Sequence, residues 1–332
     1  VGTSLRVASF NAQDFYLLLD GEYSRPQIEA LGEAEYQAMN GSIYNRNKGR
    51  DKVAEVARII LEGDFDLVGL CEIGGMETLA AFNRAYLGGR YACHLHEANS
   101  RRGIFVGALV KRERLPRATA RNVPVAFSRN LLELDLGPEG GGLKAFVVHL
   151  KSQHGEDRGL ERRVREVEAL ASLVRTRRCL VMGDFNGILI RGEAQFEYGP
   201  FLELPFRDVL DILGVPPDER RTHYHFGPEP NFAQLDYLFC SEDLEVLDGG
   251  VIEAEIPLNR AQRALLPSDH LLIWAEIGTG SAGGAAAPAG EAASGPEPRG
   301  PRPLRAALRR LAAAARALGR RLSRPARARP GR

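Results

Sequence analysis

Short apolar runs recur along the first 280 residues, and nearly every one begins or ends at an acid, an asparagine or a histidine. Leu5–Phe10 stops at Asn11, and Phe65–Leu70 stops at Cys71 and Glu72. Lys144–Leu150 holds His149 near its end and is followed by Lys151 and Ser152. Cys179–Met182 opens through Gly183 onto Asp184, Phe185 and Asn186, and Gln234–Cys240 embeds Asp236 between Leu235 and Tyr237. Ser268, Asp269 and His270 immediately precede the last apolar run. Runs of this length are strands, and helical periodicity separates several of them. The chain is therefore predicted to be α/β, with polar groups gathered where its strands end, which is where layered α/β folds place their sites.

The helical segments are legible by spacing. Val53, Val56, Ala57, Ile60 and Leu61 mark a helix within Asn47–Gly63, with Gly63 where a C-cap belongs. Met76–Tyr86 reads as a second helix. Arg158–Arg175 reads as a third, with Leu160, Val164, Val167, Leu170, Ala171 and Val174 on one face and an outer face dense in Arg and Glu. Phe206–Leu213 is the most helical part of residues 192–217, and Gln13–Gln27 reads as a loop with a little helix. Tyr91–His96, Gly103–Val110 and Leu131–Leu136 complete the expected strands.

Taken singly, most of these polar residues have an ordinary explanation. Asn and Asp are common where strands turn, a lone histidine beside an apolar run is more often packed than catalytic, and His94 with His96 lacks the further ligands of a zinc site. Asp184 and Asn186, two residues apart on an extended backbone, point the same way and can converge on one ligand or water. Arg102 and Arg129, just before two of the strands, are surface residues or grips for phosphate. Cys71, Cys93, Cys179 and Cys240 are scattered without CxxC pairs, so a disulfide framework and a thiolate metal site are not expected.

Six motifs, SFNAQDF, LVGLCEI, VVHLKSQ, MGDFNG, QLDYLFCS and PSDHLLIWAEI, spread over roughly residues 4–278, resemble the endonuclease/exonuclease/phosphatase (DNase I-like) superfamily in order and context. The HLKS form and the THYHFGPEPNFAQLDY run are most similar to bacterial nuclease-like members. The resemblance implies a four-layered sandwich of two packed mixed β-sheets flanked by helices. It implies a Mg²⁺ cofactor, with Mn²⁺ as an alternative, on Glu72 with help from Asn11, and Asp269 at a second metal. It makes Asp184 the group that orients or deprotonates water and Asn186 a neutral phosphate ligand. His270 becomes a base or phosphate ligand whose tautomer Asp236 holds. His149 would contact the phosphate or protonate the leaving oxygen, and Lys151 would add charge stabilisation to the transition state. Many members carry an acid two residues after the first motif's asparagine; here that position is Gln13, and Asp14 falls one residue later, on the opposite face of a regular strand. Asp14 is accordingly left outside the expected site.

Charge divides the chain. Residues 299–332 hold twelve arginines and no acid, so residues 1–298 carry 32 basic and 43 acidic residues, a net of −11. The expected organisation is a catalytic domain over 1–278, a disordered Gly/Ala/Pro linker over 279–303 and an Arg-rich tail over 304–332, with leucines at helical spacing, that binds DNA or an anionic membrane surface, or has no fixed role. No apolar run reaches membrane-spanning length and the N-terminus lacks a signal pattern, so the expected compartment is cytoplasmic. The expected activity is Mg²⁺-dependent phosphodiester hydrolysis, with DNA as substrate. The alternatives are a phosphomonoesterase or lipid phosphodiesterase on the same scaffold, or a non-catalytic polyanion-binding protein.

Overall fold

The computed structural model describes residues 4–42, 44–153, 159–174, 177–190, 192–225, 231–252 and 259–280; most of the expected linker, the whole tail and part of the THYHFGPEP run lie outside them. The strands are β1 (Ser4–Phe15), β2 (Leu67–Ile73), β3 (Tyr91–Leu95), β4 (Phe105–Lys111), β5 (Thr119–Val123), β6 (Leu131–Asp135), β7 (Lys144–His149) and β8 (Cys179–Asp184). They continue as β9 (Phe206–Asp208), β10 (His223–His225), β11 (Asn231–Ala233), β12 (Asp236–Ser241), β13 (Glu245–Val251) and β14 (Ile273–Gly278). The helices are α1 (Arg25–Glu29), α2 (Glu33–Ala38), α3 (Arg50–Gly63), α4 (Met76–Tyr86), α5 (Leu160–Leu173), α6 (Gly199–Leu202), α7 (Val209–Ile212) and α8 (Arg260–Leu265).

Twelve strands form two six-stranded sheets, ordered β13-β14-β1-β2-β4-β3 and β5-β6-β7-β8-β12-β9, with β10-β11 as a separate ribbon. Both sheets are mixed: β1 runs parallel to β2 and β7 parallel to β8, while the other pairs are antiparallel. The helical crossovers needed between parallel neighbours are α3 and α5.

Alternation sorts the apolar residues into three layers. Leu5, Val7, Leu67 and Val106 of the first sheet meet Leu134, Val147, Met182 and Leu238 of the second. Ala8, Phe10, Val68 and Leu70 face outward onto Val53, Ile60 and Phe82 of α3 and α4. Phe146, Val148 and Val181 face Val167 and Leu170 of α5. This is the expected four-layered sandwich. The sheets approach closely at Gly69, where a Cβ would lie 2.6 Å from Met182 Sδ.

Four local expectations are corrected. β1 continues past Asn11 to Phe15 because it pairs with β2 across a bulge, where a loop was predicted. Asp64, at φ 48°, closes α3, while Gly63 lies inside the helix with Phe65 packed where its Cβ would stand. Phe206–Asp208 is an edge strand on β12, and Asp208 caps only the short α7 by accepting from the Leu210 amide. On α5 the buried face includes Arg163 and Glu166, whereas Leu160 and Val164 are only half-buried. Arg163 pairs with buried Glu197 at 2.7 Å, and Glu166 accepts from the amides of Ser128 at 2.6 Å and Lys151 at 2.7 Å. Specific partners thus draw two charged side chains inward from a face that the pattern alone assigns to water.

Candidate active site

The site follows from strand parity. On β7, Ala145 and Val147 point between the sheets, so His149 does too; on β8, Leu180 and Met182 set the same direction for Asp184; on β12, Leu238 and Cys240 set it for Asp236. Register then aligns the three: His149 lies opposite Asp184 and Asp236 opposite Asp184 on the other side. Asn11 reaches the same place from β1, where Leu5 and Val7 point inward. Gly183, at φ 140°, permits the close passage, since a Cβ there would stand 1.9 Å from the Val148 carbonyl oxygen.

These side chains touch. Asn11 Nδ2 donates to Asp184 Oδ2 at 3.0 Å and lies 3.4 Å from His270 Nε2. His149 Nε2 is 3.5 Å from the same Asp184 oxygen, and His270 Nε2 is 4.0 Å from it. His270 Nδ1 meets Asp236 Oδ2 at 2.7 Å. The Ser268 hydroxyl donates to the Asn11 carbonyl at 2.7 Å and accepts from the His270 amide at 3.0 Å, tying the segment before β14 to the end of β1. The Asn186 amide donates to Asp184 Oδ1 at 2.8 Å, while its Nδ2 donates to the Leu150 carbonyl at 3.0 Å, so one of its two side-chain N–H groups is already engaged. Asp236 is fully buried, with Oδ1 unbonded, and His149 Nδ1 is likewise buried without a partner.

Burial and neighbours set the charges. Burial pushes the Asp184 carboxyl up, and Asp236 and Glu72 reinforce this against His270 and the Asn186 amide. Burial, then the cations Arg129, His270, Arg102 and Lys151, hold His149 well below its ordinary value, so it is a neutral imidazole. Burial would lower His270 too, but Asp236, by charge and hydrogen bond, with Asp184 and Asp269, carries it up to about 10. Its resting form is the imidazolium.

Glu72 stands beside this cluster on a doubly bulged stretch. Between the pairs Asn11/Cys71 and Phe15/Ile73, three residues of β1 face one of β2. Gln13, Asp14 and Glu72 all take left-handed backbone, at φ 48°, 43° and 63°. The Asp14 amide donates to Glu72 Oε2 at 2.8 Å, and the Asp14 carboxylate pairs with exposed Arg102 at 3.0 Å. Strict alternation therefore does not hold across the bulge, and the group that reaches Glu72 is the Asp14 backbone amide, while the Asp14 carboxylate stays with Arg102. Arg129 is buried, with Nε lacking a partner, and shares the electrostatic surroundings of Glu72 and Asp184. Lys151 is half-buried near Ser152, its amide fixed by Glu166.

Asp269 is less open than the sequence suggested: Arg263 holds its Oδ2, His223 Nε2 lies 3.8 Å from the same oxygen, and its Oδ1 is 3.9 Å from His270 Nε2. His223 and Lys48, also drawn to the site, were not anticipated. A β-bridge places His223 opposite His270, with ring centroids 4.5 Å apart. Lys48 is buried, and burial followed by repulsion from Lys52 lowers its ammonium to about 8. The histidines of THYHF were a signal for the first; nothing in the sequence marked the second. His94, by contrast, stays on β3, half-buried with Nε2 unbonded.

Two triplets, Asp184/Asp236/His270 and His223/Asp269/His270, bring ligand-type atoms within 4.8 Å of one another and could hold a metal ion. A family model, that of the Endonuclease/Exonuclease/phosphatase family, matches residues 10–270. The chain belongs to the endonuclease/exonuclease/phosphatase family. It is thus a phosphoric ester hydrolase, in a family that generally uses divalent metals. No curated protein matches the chain. Among solved structures, D. rerio TDP2 complexed with single-strand DNA product superposes with a TM-score of 0.53 at 14% identity, covering 83% of this chain and 99% of that one. A Beutenbergia cavernae DSM 12333 endonuclease/exonuclease/phosphatase gives 0.53 at 16% identity, covering 84% and 72%. The mannosyl-6-phosphatase Bt3783 of Bacteroides thetaiotaomicron VPI-5482 gives 0.52 at 15%, covering 82% and 99%. At these identities the likeness is one of fold, and that fold carries both kinds of protein. No helix among the described residues of this phosphoesterase is long and apolar enough to cross a membrane.

Proposed function

We propose that this family member hydrolyses phosphodiesters with a divalent cation, and that its substrate is DNA. The observation that carries the reading is the contact network joining Asn11, His149, Asp184, Asp236 and His270, with Arg129, Arg102 and Lys151 acting on its neutral histidine. A raised Asp184 carboxyl, shared by Asn11, His149 and His270, is suited to take a proton from an attacking water near neutral pH. The His270 imidazolium, held by Asp236, places a fixed positive charge where a phosphoryl oxygen gains negative charge. Neutral His149 binds the phosphate or leaving oxygen through a ring nitrogen, and Lys151, Arg102 and Arg129 draw the polyanion in. Asn186 binds phosphate through its remaining side-chain N–H without adding charge.

The donor set beside this network fits a hard cation. Glu72 and Asn11 offer oxygen ligands, the Glu72 carboxylate accepting from the Asp14 amide, which suits Mg²⁺ or Mn²⁺ better than a thiophilic metal. When bound, such an ion supplies Lewis-acid stabilisation of the phosphoryl oxygens. Asp269, tied to Arg263, is the less available of the two acids expected at metal.

Parallel assays with Mg²⁺ on plasmid DNA, an abasic duplex, sphingomyelin and inositol phosphates test the reading. Cleavage of DNA is expected. Turnover of a lipid or sugar phosphate with DNA left intact would move the protein to a phosphomonoesterase or lipid phosphodiesterase. Polyanion binding without any turnover would make it a binding protein.

A further inference from the structure

Three imidazoles stand in a row where the ribbon of β10 and β11 meets the site. His223, Tyr224 and His225 alternate across β10, so the two histidines share one face and Tyr224 takes the other. Tyr224 is buried and packs edge-on against Phe232, with ring centroids 5.2 Å apart. The backbone is fastened beneath the histidines. The Tyr224 amide donates to the Asp269 carbonyl at 2.9 Å, the Leu271 amide to the Thr222 carbonyl at 2.6 Å, and Arg263 Nε to the Tyr224 carbonyl at 3.2 Å.

The rings form a column that runs from the core to water. His270 is buried; half-buried His223 lies with its ring centroid 4.5 Å from that of His270 and its plane tilted by 51°. Exposed His225 follows, its centroid 6.4 Å from that of His223 and the two planes only 16° apart. Both separations are those of ring–ring contact. An exposed ring aligned with an inner one, on a backbone tied to the catalytic segment, is a preformed surface for another planar group. A metal ion does not account for it, because the triplet of His223, Asp269 and His270 leaves His225 out.

The chemistry at the inner end of the column says which planar group fits. His270 is the imidazolium that meets the phosphoryl oxygen in the proposed reaction, so the column marks a way out of the cleft for whatever that phosphate carries. In a polynucleotide this is a nucleoside, whose base has flat faces that stack on aromatic side chains, histidine included. A sugar phosphate or a lipid headgroup offers no such plane. We propose that His223 and His225 form a stacking platform for an unpaired nucleobase beside the scissile phosphate. The inference rests on the phosphodiesterase reading above and deepens it: the preferred substrate is a single strand, held by a base as well as by its phosphates.

The test compares a single-stranded oligothymidylate with an abasic oligomer of the same length, which keeps every phosphate and lacks every base, in wild type, His225→Ala and His225→Phe. Wild type should show the higher kcat/KM on the oligothymidylate. Loss of one stacked ring should lower kcat/KM on the oligothymidylate about tenfold more than on the abasic oligomer, and raise its Kd by a similar factor. His225→Phe should restore most of that loss, because a phenyl ring stacks without offering a nitrogen. Equal fold-changes on the two oligomers, wild-type turnover of the abasic oligomer as fast as of the oligothymidylate, failure of the phenylalanine to restore activity, or cleavage of duplex DNA alone would each overturn the platform and leave the hydrolase reading intact. A wild type that turned over no nucleic acid with Mg²⁺ or Mn²⁺ would remove that reading and the platform with it.

Discussion

Replacing Asp236 by Asn removes the charge that holds His270 protonated and leaves the shape of the site almost unchanged. Asp236 is fully buried, its Oδ2 lies 2.7 Å from His270 Nδ1, and its amide donates to the Thr222 hydroxyl at 3.0 Å, a contact the asparagine retains. At a charge separation of about 4 Å and an effective dielectric constant of about 20, the attraction is about 4 kcal/mol, or about 3 pH units of proton affinity. That accounts for most of the rise of His270 from 6.5 to about 10. In Asp236→Asn the imidazole should therefore titrate near or below neutrality, because burial then acts against a smaller attraction. At pH 8 the ring becomes neutral, and kcat/KM should fall by about 10²- to 10⁴-fold. Stability should follow the same proton. The folded state binds it more tightly than the unfolded chain, so the contribution is complete below about pH 6.5 and is lost as pH rises through about 10. Histidine NMR titration, pH–rate profiles and urea unfolding at pH 6 and 9 measure all three. If His270 still titrated above pH 9 in the variant and kcat/KM changed less than about tenfold, the carboxylate would not be the source of the charge.

Glu72→Ala should abolish Mg²⁺-dependent turnover and weaken Mn²⁺ binding measured by calorimetry; retained activity in the presence of EDTA would count against the metal assignment. Asn186→Asp places an acceptor against the Leu150 carbonyl and a negative charge beside the phosphate, so kcat/KM should drop about 100-fold in steady-state assays despite the near-identical shape. Gly183→Ala forces a Cβ to within 1.9 Å of the Val148 carbonyl oxygen and should cost more than about 2 kcal/mol in urea unfolding. A neutral effect there would mean that β7 and β8 separate more easily than their register suggests.

Several elements were readable without a structure because their cause is local. The Met76–Tyr86 helix matches its prediction to the residue, and Asp184, Asp236 and His149 point between the sheets as two-residue alternation requires. The misread elements have non-local causes. Arg163 and Glu166 turn inward to partners 34 residues ahead and 15 and 38 residues behind them. Phe206–Asp208 becomes extended because β12 offers an edge. The Asp14 amide reaches Glu72 because β1 and β2 pair through a bulge, and no count along a single strand registers an irregularity created by its neighbour.

The sequence by itself determined which residue types stand at the strand ends and the order of the motifs, and the resemblance those motifs carry implied the family and its layers. Only the tertiary structure decided how those ends meet. Asn11 comes from one sheet and His270 from the segment leading into its strand β14, while His149, Asp184 and Asp236 come from the other; their contacts depend on the packing of the two sheets. The same packing links Lys48, through Gln13, to Asp269 and Arg263, more than 200 residues along the chain. Charges that distant in sequence interact only after the core has folded, because their energy depends on separation in space and on the water removed between them.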